Sequence, residues 1–70
     1  MKLTKVLKNT AGRFTTLIVN RANGQTVHCA KVQSVTDNYV YFLDVNTYQD
    51  RRVRPDQVVF ARSGSQLYRR

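Results

Sequence analysis

From Arg13 onward the chain is a run of short segments rich in β-branched and aromatic residues, each closed by a turn signal. That rhythm leaves room for little except a small antiparallel sheet. FTTLIVN (Phe14 to Asn20) and TVHCAKVQSVT (Thr26 to Thr36) flank RANGQ, in which Asn23-Gly24 is a strong hairpin signal. Asp37-Asn38 then turns into YVYFLDV (Tyr39 to Val45), and Asn46-Thr47 turns into YQDRRVR (Tyr48 to Arg54). Pro55 has no N–H to give a ladder, so it ends that segment before QVVFA (Gln57 to Ala61) begins. Within the second segment Val27 and Cys29 share one face while Val32 has the opposite parity, which predicts a bulge or sharp bend near Ala30 and Lys31.

Five strongly bent antiparallel strands of this length predict an all-β small barrel, closed or nearly so. Closure removes the sheet edges and lets few residues hide both faces of apolar strands. The core candidates are Val19, Val27, Val32, Val40, Phe42, Val53 and Val58.

Ahead of the strands, KLTKVLK places Leu3, Val6 and Leu7 at i, i+3 and i+4, with Lys2, Lys5 and Lys8 around the other face. A short amphipathic helix is expected there, too short to stand alone and so packed on the sheet. Asn9 to Gly12 supply the stop. The expectation is one domain over 1–70: helix and turn at 1–12, barrel at 13–62 and a loose basic tail at 63–70. A chain of 70 residues buries only about 60% of its unfolded surface, so self-association is a natural source of extra stability.

Charge narrows the partners. Twelve Lys and Arg stand against four Asp and no Glu, for a net charge of +8 and a pI near 10.4. Self-repulsion of that size favours a polyanion, and nucleic acid is the leading class; a basic surface that only confers solubility is the blander alternative. Cys29 is the sole cysteine, which rules out a disulfide within the chain and fits a reducing compartment. With neither a signal-like N-terminus nor a membrane-length apolar run, a cytoplasmic location is expected, that of the host if the chain is virus-encoded, as its small size and basicity would suit.

Catalysis has little to work with. His28 stands alone, and Cys29 beside it points to the opposite strand face, so the two cannot converge on a metal or form a nucleophile and base. A half-exposed histidine and a small buried thiol are the plainer roles. The four Asp lack paired-carboxylate spacing, and no Gly-rich phosphate loop or two-His motif occurs. The reading is a protein without enzymatic activity, cofactor or evident small-molecule substrate.

The order of short helix and five strands, with NGQTVHCAKVQSVTDNYVYFLDV in the middle and VRPDQVVFA near the end, resembles the Sm and Sm-like proteins, including the Hfq RNA chaperones. Val53, Arg54, Asp56, Gln57, Val58, Val59 and Phe60 follow the second Sm motif, except that Pro55 occupies its glycine position. Hfq's Tyr-Lys-His signature is absent, with Val53, Arg54 and Pro55 in its place.

The resemblance implies a homo-oligomeric ring in which the fourth strand of one subunit pairs with the fifth strand of the next. Tyr48 and Arg52 would then meet Val58, Val59 and Phe60 across the boundary. It also implies two RNA-binding pore loops, Asp37-Asn38-Tyr39 and Arg54-Pro55-Asp56. The residue chemistry agrees: Tyr39 offers a stacking face, Asn38 an amide that both donates and accepts, and Arg54 a planar cation. Lys2, Lys5 and Lys8 would add phosphate attraction without base reading. Blander roles stand beside these, namely turn chemistry for Asp37-Asn38 and an ordinary strand aromatic for Tyr39. The expected function is binding of single-stranded RNA, with single-stranded DNA open, in RNA or DNA processing. The alternatives are an SH3-like adaptor barrel that takes a protein partner and a barrel that binds duplex DNA.

Overall fold

The computed structural model describes residues 3–10 and 12–70. Helix α1 (Leu3–Asn9) is followed by strands β1 (Phe14–Arg21), β2 (Gly24–Val35), β3 (Val40–Asp44), β4 (Gln49–Val53), β5 (Val58–Ser63) and β6 (Gln66–Arg69), with a 3-10 turn at Pro55–Gln57 before β5. All strands join one antiparallel sheet in the order β4-β3-β2-β1-β5-β6. The sheet is not closed into a barrel, and β4 and β6 form its two edges.

The sixth strand corrects both the strand number and the loose tail. Gly64 takes φ +57°, a left-handed conformation open to glycine at little cost, and with Ser65 it turns the chain back along β5. Phe60 then faces Arg69, Ala61 faces Tyr68, Arg62 faces Leu67, and Ser63 faces Gln66. The Arg70 N–H continues the ladder to the Val59 carbonyl at 3.0 Å. Because β5 lies between β1 and β6, its outer edge is already paired within the chain.

One face of the sheet builds the core. Leu17 and Val19 of β1, Ala30 and Val32 of β2, Val40 and Phe42 of β3, Val53 of β4, and Val58 and Ala61 of β5 are all buried. Val58 and Ala61 are three residues apart, yet both point inward because the register with β1 slips at Val59. Leu3, Val6 and Leu7 of α1 complete the core. Each fully buried aliphatic side chain contributes about 1.5–3 kcal/mol, which offsets the poor intrinsic stability of a seven-residue helix. The helix closes on Thr10, whose hydroxyl donates to the Leu7 carbonyl at 3.1 Å, and the Gly12 N–H ties the turn to Val32 O at 3.2 Å.

The phase of β2 differs from expectation. His28, Ala30 and Val32 face the core in unbroken alternation, and the register slip falls between Val32 and Ser34, beyond Ala30 and Lys31. Val27 therefore points outward and is 66% exposed, whereas His28 is 9% exposed. A histidine holds the inward position because a carboxylate on β3 meets it, and Val27 gains nothing comparable by turning in. Cys29 is half-buried on the outer face.

Candidate functional site

Two loops meet at one end of the β3–β4 hairpin. The ladder sets Val40 against Val53 and Tyr41 against Arg52, so the residue before β3 and the residue after β4 leave the sheet side by side. Those residues are Tyr39 and Arg54. Asp37, Asn38 and Tyr39 from the first loop, with Arg54, Pro55 and Asp56 from the second, line one cleft of about 440 Å³. The six residues singled out as loop contacts are thus brought together.

Each loop is fixed by a polar staple. Thr36 Oγ1 accepts from the Asn38 and Tyr39 N–H groups at 3.3 and 3.0 Å and donates to the Tyr39 carbonyl at 3.2 Å. Thr36, absent from the sequence reading of this turn, therefore holds it closed more directly than Asp37 does. In the second loop the Arg54 N–H donates to Gln57 Oε1 and the Gln57 N–H returns to Arg54 O, both at 3.0 Å. Pro55 opens this turn, where its fixed φ suits the first position and its missing N–H costs nothing. Arg54 Nε lies 3.7 Å from Asp56 Oδ1, with both side chains largely exposed, a contact too long and too wet to immobilise the arginine.

The charge inside this cleft is not that of the whole molecule. Asp37 and Asp56 bring two carboxylates against the one guanidinium of Arg54. Such a lining suits the donor and acceptor edges of nucleobases better than phosphate. Outside its rim the Arg52 guanidinium sits over the Tyr39 ring at 4.7 Å, and Tyr41 packs against Tyr39 with ring centres 5.9 Å apart. The two ring planes are inclined at 52°, so the group is a tilted aromatic pair with a cation over one ring.

The other candidates are distributed differently. Lys5 and Lys8 are exposed on α1, away from the cleft lining, and Lys2 lies outside the described residues. Tyr48 ends the turn before β4, 80% exposed and at φ +56°, and Arg52 is exposed on β4. Val58 is a core residue, while Val59 and Phe60 are half-buried on a strand flanked on both sides.

Sequence reasoning missed a second polar cluster. His28 Nδ1 is 3.1 Å from Asp44 Oδ2, Arg51 Nε donates to the same oxygen at 3.0 Å, and the Asn46 N–H donates to Oδ1 at 3.1 Å. Thr26 Oγ1 lies 2.9 Å from His28 Nε2 and accepts from Arg21 Nε at 3.1 Å. Burial pushes the Asp44 carboxyl up, but hydrogen bonds from His28, Asn46 and Thr47 and the attraction of His28 outweigh it and leave the group below its ordinary range. A hydroxyl, imidazole and carboxylate in series can relay a proton, yet Thr26, His28 and Asp44 line neither the main cleft nor the shallower one beside Tyr41. The cluster ties the β1–β2 hairpin end to β3 and β4. Its signal in the sequence was present only as two inward positions on neighbouring strands, visible once Ala30 is set against Asp44.

Among the described residues, no group of three His, Cys, Asp or Glu side chains could hold a metal, and no helix is long and apolar enough to cross a membrane. Comparison with known proteins finds no matching family model, curated protein or solved structure.

Proposed function

We propose that this protein binds single-stranded nucleic acid, RNA foremost, with unpaired bases held in the cleft between the Asp37–Tyr39 and Arg54–Asp56 loops. The observation that carries the reading is the convergence of those loops on one cleft beside the cluster of Tyr41, Tyr39 and Arg52. Asn38 and the two carboxylates would take base edges, Tyr39 a base face, and Arg54 either a base or the adjoining phosphate. A net charge of +8 would supply salt-dependent attraction from outside the cleft.

The Sm-like reading belongs with this proposal. If β6 is set aside, β4 and β5 are the two edges of the sheet, as pairing of fourth and fifth strands between subunits requires. Since β6 covers β5, a ring of this chain would join the edge of β4, bearing Arg52, to the edge of β6. Such a ring would set repeated copies of the cleft about one axis, suited to RNA or DNA processing.

The test is binding of short fluorescent RNAs by nuclease-treated protein at fixed salt. Arg54→Ala is expected to weaken binding about tenfold, in the range of one lost base or phosphate contact, with the solution mass unchanged. Parent-level affinity for that variant at matched salt would remove the cleft from the reading. A protein that ignores RNA and DNA alike, and scatters light as one chain, would point instead to an adaptor for a protein partner.

A further inference from the structure

Among the described residues nothing covers the face of the sheet turned away from α1, and its composition is unusual for a solvated surface. Phe14 is 61% exposed, Val27 66% and Leu67 48%. Ile18, Leu43 and Phe60 are half-buried on the same face. The pairing registers interleave cations with these apolar groups. Lys31 lies between Phe14 and Leu43, Arg62 between Thr16 and Leu67, and Arg69 opposite Phe60. Lys31 Nζ already sits 5.2 Å from the centre of the Phe14 ring.

Among the described residues the one carboxylate on this face is Asp50, at the β4 edge opposite Leu43, where it accepts from Gln33 Nε2 at 3.1 Å. A second copy of the chain laid on the face would set Lys31, Arg62 and Arg69 against cations of the same sign. A polyanion with flat apolar groups would instead meet opposite charge and ring faces together. At the β3–β4 end the face runs into Tyr41 and Arg52, through a shallow depression of about 260 Å³ bounded also by Gln33 and Asp50. Arg52 reaches over Tyr39, which lines the loop cleft.

We infer that the exposed sheet face is a second binding surface for single-stranded nucleic acid, with bases stacked on Phe14 and Phe60, phosphates on Lys31, Arg62 and Arg69, and the strand continuing past Tyr41 and Arg52 into the loop cleft. This rests on single-stranded nucleic acid being the ligand, as proposed above, but not on the cleft being where it is held. It also accounts for the charge division: base-reading groups, two of them anionic, lie in the cleft, while the cations that would follow a backbone lie on the sheet.

The chain has no tryptophan, so Phe14→Trp introduces a single indole on this face. Titration with a single-stranded RNA of about 12 nucleotides, near the upper site size of small barrels, should quench its emission as bases stack. In parallel, F14S/K31Q should weaken the 12-nucleotide RNA about tenfold and leave an RNA of about four nucleotides unchanged. Arg54→Ala should weaken both lengths. Binding of the longer RNA with unmoved indole emission and parent affinity for F14S/K31Q would overturn the sheet surface while leaving the cleft in place. Weakening by F14S/K31Q with Arg54→Ala neutral would keep the sheet surface and dismiss the cleft. No affinity for RNA or single-stranded DNA in the parent protein would overturn both. An indole response to anionic vesicles or to protein concentration, without one to RNA, would assign the face to lipid or to self-association and overturn the proposal.

Discussion

The Asp44 carboxylate and the His28 imidazole meet at 3.1 Å across two neighbouring strands, both nearly out of solvent. Arg51 completes the pair from β4 at 3.0 Å. A buried carboxylate without partners would be costly, so the three groups are interdependent. The folded-state pKa of Asp44 lies below its ordinary value, so the unfolded chain binds the proton more readily. The stabilisation is therefore fully present above about pH 4, the unfolded aspartate value, and is lost as pH falls through the lower folded-state value. Asp44→Asn is expected to lower the urea midpoint at neutral pH and to flatten its fall between about pH 4 and pH 2. Urea titrations of both proteins across that window check this, and identical acid slopes would show that Asp44 does not carry the effect.

Gly64 makes the sixth strand possible. Its φ of +57° is strained for any residue with a Cβ, while the space around it is open, so the penalty of a methyl group is conformational rather than steric. Gly64→Ala is expected to cost about 1–2 kcal/mol. For a chain of this size, that means a fall in thermal midpoint of about 4–8 °C per kcal/mol. Calorimetry measures the loss, and faster amide exchange in β5 and β6 would locate it. A midpoint equal to the parent's would show that the left-handed backbone at Gly64 carries no such cost.

Tyr48 holds the opposite relation to its backbone, a bulky residue at φ +56° with 80% of its surface in water. No burial compensates the strain within the chain. Tyr48→Asn, a residue that tolerates this conformation, is expected to raise stability by about 1 kcal/mol. Chemical denaturation reads the gain. If Tyr48 also serves contacts between copies at the β4 edge, the same variant will lower the solution mass seen by light scattering, and an unchanged mass would take Tyr48 out of that interface.

How far the sequence carried the reading depends on what each step required. The helix stripe of Leu3, Val6 and Leu7 and the first five strands were legible because burial follows a fixed period and the turns carry local chemistry. The two loops were paired through the Sm resemblance, and the β3–β4 register, which sets Val40 against Val53, gives the local reason why Tyr39 and Arg54 adjoin. The sixth strand had its signal, Gly64-Ser65 followed by an alternating QLYR, but a terminal segment is ordered only where something ties it down, and the pairing with β5 that does so is not a local property of the sequence. The inward turn of His28 was not legible. Hydrophobicity favours Val27 for that position, and only the partnership with Asp44, fixed by the β2–β3 register, reverses the choice. Closure was overestimated because five bent strands suggest a barrel, whereas an added β6 satisfies the β5 edge without it.

Lys5 and Lys8 offer a last distinction between attraction and recognition. Both are exposed on α1 and line no part of the cleft, so any role in nucleic-acid binding is through phosphate charge alone. Phosphate contacts release counterions, and for a single strand each contributes about 0.7 to the slope of log affinity against log salt. K5Q/K8Q is expected to lower affinity for every single-stranded sequence by a similar factor and to reduce that slope by about 0.7 per lysine that contacts phosphate. Arg54→Ala, in contrast, should alter the order of preference among U-rich, A-rich and mixed oligonucleotides, because its loss changes what surrounds a base. Binding isotherms at four salt concentrations separate the two. A change of sequence preference in K5Q/K8Q would place the helix among the base-reading elements and require the strand to cross α1 as well as the loops.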